Sequence, residues 1–221
     1  VLEAVRIGRV VNDRVLLQDI SLTVQPGQRI ALVGPSGSGK TLLLRALAML
    51  DPLNHGEIRW QHQTISGAAV PRFRSQVMYL HQRPSLLEGT VEENLRQPFL
   101  LRVHREKSFD PQRVTALLDS VDRDATFLQK KQRDLSGGES QLAAIIRAIQ
   151  LDPSVLLLDE PTSALDALAV QLVESLVTRW FEEKPQQRAT IWVSHDAQQA
   201  SRTSTILQKI RDGRLENGAG I

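Results

Sequence analysis

The sequence predicts an α/β fold, in which a parallel sheet carries the chemistry at its strand ends, antiparallel strands precede it and a helical insert interrupts it. Three observations predict it. A glycine-rich turn, Gly34-Pro35-Ser36-Gly37-Ser38-Gly39-Lys40-Thr41, lies between an apolar run at 29–33 and the helix-forming stretch 42–48, giving the order strand, turn, helix. The uninterrupted apolar run 155–158 ends in Asp159-Glu160, as a buried parallel strand delivering two carboxylates would. From about residue 86 to 134 strand signals stop and helical spacing takes over.

At 221 residues the chain can bury a substantial core and suits one globular unit with a subdomain. Its 41% hydrophobic and 24% charged residues are ordinary for a soluble protein. No run approaches the ~18 apolar residues of a spanning helix, and no signal-peptide pattern opens the sequence. A soluble, intracellular chain is expected. The absence of cysteine excludes disulfides and cysteine-based zinc or redox sites, so metal chemistry would use oxygen ligands. With 27 basic against 25 acidic residues the net charge of +2 is too small for a nucleic-acid footprint.

In chain order, residues 2–7 and 20–24 alternate apolar and polar and read as half-buried antiparallel strands, closed by the turn Pro26-Gly27. Residues 29–33 form a parallel strand, and a helix begins near Thr41. After a turn at 51–55 come a short strand at 56–60 and another at 77–80, which delivers His81 and Gln82 into a loop. In the helical insert, spacing at 91–101 and 113–121 is broken by Pro98 and Pro111. Ser136-Gly137-Gly138-Glu139 opens a helix whose Leu142, Ile145, Ile146 and Ile149 share one buried face, and Pro153 ends that region. A central parallel strand is expected at 155–158, a helix with Ala169, Leu172, Val173, Leu176, Val177 and Trp180 as its stripe, and a strand at 190–193 ending at Ser194-His195-Asp196. A last strand and turn follow at 205–212.

The turn at 34–41 reads as a phosphate cradle. Gly34, Gly37 and Gly39 let successive N–H groups point inward, Lys40 supplies a charge for the β- and γ-phosphates, and Thr41 offers a hydroxyl to Mg²⁺. The positive dipole end of the following helix faces the same anion. Asp159, beside such a cradle, suits Mg²⁺ coordination through water, and Glu160, one residue on, suits a general base for an attacking water. Other positions have plainer readings: Ser136 with Glu139 fits a capping box, Asp166 fits the start of a helix, and His195 and Gln82 taken singly are ordinary loop residues.

These motifs in this order resemble the nucleotide-binding subunit of ABC ATPases over nearly the whole chain. Besides the Walker A loop at 34–41, Gln82 stands at the Q-loop, Leu135-Ser136-Gly137-Gly138-Glu139 matches the signature, residues 155–160 match Walker B, Ser163 to Asp166 the D-loop, and His195 the switch histidine. The resemblance implies a P-loop NTPase core of RecA type with an N-terminal antiparallel β subdomain, at 1–85 and 135–221, and an α-helical subdomain at 86–134. It implies ATP and Mg²⁺ as cofactors, with Thr41, Gln82 and Asp159 toward the metal and Glu160, Gln82 and His195 toward hydrolysis. Ser136, Gly137 and Gly138 would face the γ-phosphate of ATP held by a second copy, and Asp166 would lie at the seam of a homodimer formed in the ATP-bound state. A separate integral-membrane permease is implied as partner, with this subunit peripheral on the cytoplasmic face of the cell membrane and no nucleic acid bound.

One position departs from the family. Its usual adenine-stacking aromatic is missing, and the matching position is Val11, so little discrimination between ATP and GTP is expected. The stretch 84–95, with Pro98 after it, resembles exporter-type subunits, in particular small bacterial ones of iron or metal homeostasis. The competing class is a soluble ABC protein acting on DNA or ribosomes. Its chromosome and repair members place long coiled coils between Walker A and signature, whereas residues 41–135 here lack sustained heptads.

Overall fold

The structure, a computed structural model, describes residues 1–216. The chain opens with a long antiparallel hairpin of β1 (Leu2–Val11) and β2 (Arg14–Val24), in which Leu2 faces Val24, Ile7 faces Ile20 and Val11 faces Arg14. Leu2, Ala4, Ile7, Leu17, Ile20 and Val24 are buried, the apolar sides of the two alternating strands. Asn12 and Asp13 make the tip with φ of 49° and 60°, the left-handed pair that a two-residue turn between right-twisted strands requires. Next come β3 (Arg29–Val33), α1 (Lys40–Leu47), β4 (His55–Trp60), β5 (Gln63–Thr64), α2 (Val70–Arg74) and β6 (Val77–Leu80).

No strand is assigned from residue 81 to 154; this stretch holds α3 (Val91–Arg96), α4 (Pro111–Asp119), α5 (Thr126–Gln129) and α6 (Gly137–Ile149). The spacing at 91–101 yields only the short α3, because Pro98 has no N–H to continue an α-helix and residues 97–100 tighten into a 3₁₀ turn. Pro111 does not break a helix but begins one. It occupies the first turn of α4, where its missing N–H is no loss, while Asp110 caps the N–H groups of Gln112 and Arg113. The chain then gives β7 (Val155–Asp159), α7 (Ala167–Glu183), β8 (Ala189–Val193), α8 (Ala197–Thr203), β9 (Ile206–Arg211) and β10 (Arg214–Glu216).

Contacts divide the chain into two compact units. The first comprises residues 1–79, 154–160 and 185 onward; the second comprises 80–153 and 161–184, and so takes in α6 and α7 as well as the stretch 86–134. The first unit has a four-stranded sheet in the order β2-β1-β4-β5, and its second sheet runs β10-β9-β3-β8-β7-β6. β7 is an interior strand but not the central one: β8 separates it from β3, and β6 forms the edge. Every residue of β7 and β8 is buried, which accounts for their apolar sequences. β8 runs parallel to both β3 and β7, with Leu32 opposite Val193 and Val193 opposite Asp159. The ends of β3, β8 and β7 are therefore flush, and the three loops that follow them leave one edge of the sheet side by side.

Candidate functional site

In the first unit, the loop after β3 depends on backbone conformations that favour glycine. Gly37 and Gly39 have φ of 76° and 108°, and Gly39 is the N-cap of α1 with no side chain to bond the first N–H groups. Those donors are thereby left for an anion. Pro35, Ser36 and Gly37 are exposed, Gly34 is half-buried, and Ser38, Gly39 and Lys40 are buried. The Ser38 Oγ has no hydrogen-bond partner among the described residues although it is buried, and its backbone oxygen accepts from the N–H of Gly213 at 3.0 Å, so the turn between β9 and β10 braces the loop.

The Lys40 ammonium donates to the carbonyls of Gly34 and Pro35, at 2.8 and 2.9 Å. Burial pulls its pKa below the ordinary lysine value, while the charges of Glu160 and Asp159 act in the other direction. An ammonium carries three protons, and two are engaged by the loop itself. A phosphate oxygen suits the third.

Asp159 closes β7 at 3% exposure. Its Oδ1 accepts from the Thr41 hydroxyl at 3.1 Å and its Oδ2 from the Tyr79 hydroxyl at 2.7 Å. Thr41 and Asp159, 118 residues apart in sequence, are thus brought together as an oxygen-donor pair. One residue on, Glu160 stands at φ 48°, in the left-handed region, and its Oε1 lies 2.6 Å from Nε2 of His195. The histidine is held at the mouth of β8, where Ser194 Oγ accepts from the N–H of Asp196 and the Asp196 side chain caps α8. Asp159 and Glu160 point to different partners. One is locked into hydroxyl donors, the other faces an imidazole.

The second unit carries the other sequence-predicted residues. Gln82 is exposed, and its side-chain N–H donates to the hydroxyl of Ser163 at 2.9 Å, joining the loop after β6 to the loop before α7. Ser136 and Glu139 form the capping box their spacing suggests: Ser136 Oγ accepts from the Glu139 N–H at 3.1 Å, and Glu139 Oε2 accepts from the Ser136 N–H at 3.0 Å. Lys130 pairs with the same carboxylate at 2.6 Å. Ser136 and Gly137 are exposed at the start of α6; Gly138 lies so near α7 that an added Cβ would meet the Cβ of Ala169 at 2.8 Å. Asp166 is the N-cap of α7, accepting from the Ala169 N–H at 2.9 Å.

Two participants were not legible as such. Tyr79 reads as one more residue of an apolar strand, although it is the only tyrosine in the chain and a half-buried phenol needs a partner. Ser163 carries no signal beyond its place in the loop.

Comparisons with known proteins agree with one another. The family model for the ABC transporter matches residues 17–163. A probable iron export ATP-binding protein, FetA of Escherichia coli (strain K12), is 33% identical over 209 residues, covering 93% of this chain and 89% of that one. ABC transporter I family member 17 of Arabidopsis thaliana is 34% identical over 200 residues, covering 90% of this chain and 74% of that one. Among solved structures, the dimeric post-hydrolysis state of the ATP-binding cassette MJ0796 bound to ADP and Pi superposes with a TM-score of 0.86 at 23% identity, over 100% of this chain and 98% of that chain.

Proposed function

Because this chain belongs to the ABC transporter family, as an ATP-binding subunit that hydrolyses ATP, we propose that it powers a separate membrane permease by ATP-dependent pairing of two copies. The observation that carries the reading is the set of groups at one edge of the second sheet: Lys40 and Thr41 after β3, Asp159 and Glu160 after β7, and His195 after β8. Among the described residues no helix is long and apolar enough to cross a membrane.

The donor set fits Mg²⁺. A hydroxyl and a carboxylate oxygen 3.1 Å apart match an ion that keeps waters and takes its remaining ligands from phosphates. Thr41 and Asp159 would hold it, with Gln82 assigned to it by the family resemblance alone. Mg²⁺, when bound, neutralises charge on the β- and γ-phosphate oxygens. Lys40 binds the same oxygens, and the N–H groups at the start of α1 cradle them. Glu160 takes the proton of the attacking water, and His195, bonded to its Oε1, fixes the carboxylate's direction. Ser136, Gly137 and Gly138 complete the site of a second copy, Asp166 lies at the seam, and the subunit sits on the cytoplasmic face of the membrane. Metal export is the transport class favoured by the stretch 84–95 and by the relative named for iron export.

The test is affinity co-purification of Glu160→Gln with ATP from native membranes. A multi-spanning membrane protein retained in ATP and lost in ADP is the expected result. Ribosomes or nucleic acid retained instead would replace the transport role with the soluble one.

A further inference from the structure

Asp159 is held from both sides, and the second hold has a direction. The Tyr79 hydroxyl donates to Asp159 Oδ2 at 2.7 Å. An ionised carboxylate only accepts, so the single proton of the phenol is committed to that bond.

We propose that Tyr79 is a positioning residue for the metal site: its hydroxyl holds Oδ2 of Asp159 so that the carboxylate keeps a fixed rotation against Thr41. The inference rests on the reading of Asp159 as a Mg²⁺ ligand. Two anchors on different elements, Thr41 on α1 and Tyr79 on β6, take one oxygen each, so loss of either lets the carboxylate turn about its last bond. Groups standing behind a metal ligand act through the ligand's orientation, and their loss typically costs about 10- to 100-fold in metal affinity.

The experiment uses Mn²⁺ as probe, its affinity for the ADP-saturated protein read by electron paramagnetic resonance, with ADP affinity in EDTA measured alongside. Tyr79→Phe keeps the ring and removes the hydroxyl; the expected result is a Mn²⁺ Kd raised about tenfold with ADP affinity in EDTA unchanged. A Tyr79→Phe protein with the wild-type Mn²⁺ Kd overturns the positioning role and leaves Asp159 as ligand. Equal losses of Mn²⁺ and of metal-free ADP binding also overturn it, since they mark general damage to the loop. A wild-type protein whose ADP binding shows no coupling to Mn²⁺ removes the metal-ligand reading itself, and the inference with it.

Discussion

Glu160 sits in the left-handed backbone region, φ 48°, where a side-chain-bearing residue is held against a cost of about 1–3 kcal/mol. The conformation turns the chain between Asp159 and Glu160 so that adjacent carboxylates serve different partners, the first meeting Thr41 and Tyr79 and the second His195. Glu160→Gln keeps the size and the bond to the histidine but cannot take a proton, so turnover should fall by about 100- to 10,000-fold while nucleotide binding persists. Steady-state hydrolysis beside equilibrium binding checks this, and an unchanged turnover rate would remove Glu160 from the role of base. The strong candidates were legible because each stands directly after an apolar run, where the sequence itself says which strand delivers it. Tyr79 was not, because its partner Asp159 is distant in sequence and the residue type announces only that a phenol needs a partner. The same holds for Ser163, whose bond to Gln82 spans 81 residues.

Among the elements, the β1–β2 hairpin has the clearest functional consequence. Its tip is fixed by Asn12 and Asp13, and beside it Val10, Val11 and Val15 are 38%, 40% and 52% exposed, an aliphatic rim with no aromatic face. If the nucleobase lies where the family resemblance puts it, next to Val11, it gains no stacking, a contribution of about 1–3 kcal/mol per base where an aromatic is present. Hydrolysis of ATP and GTP should then show similar kcat/KM, and a strong preference for ATP in competition would reject the assignment of the rim. Element types were readable from period and punctuation, as the alternating hairpin and the wholly apolar β7 and β8 show. Their ends were harder. Pro98 and Pro111 look alike in a sequence, yet one stops a helix and the other starts one, because only Pro111 has a capping aspartate before it.

For the whole molecule, the two halves of the motif set fall in different compact units, with Walker A, Walker B and His195 in the first and Gln82, the signature and Asp166 in the second. The signature's capping box uses side chains to satisfy the helix start at Ser136 and Glu139, while Ser136 and Gly137 stay exposed. On the proposed reading their phosphate comes from a second copy, so Glu160→Gln with ATP should elute as a dimer and the wild-type protein with ADP as a monomer. Light scattering after size exclusion decides it: a single mass in both states would break the link between nucleotide and assembly. Motif order made the family legible, but the sheet order was not, since nothing local tells that β8 enters between β3 and β7. That order has a further consequence during synthesis. β3 and its phosphate loop leave the ribosome early, but both neighbours of β3 come from residues 189–211, and the N–H that braces Ser38 belongs to Gly213. The strand therefore waits, unpaired on both edges, until almost all of the described chain has emerged. A truncated or stalled chain holds the loop's sequence without the framework that shapes it, so nucleotide capture is a property of the finished protein and not of its first half.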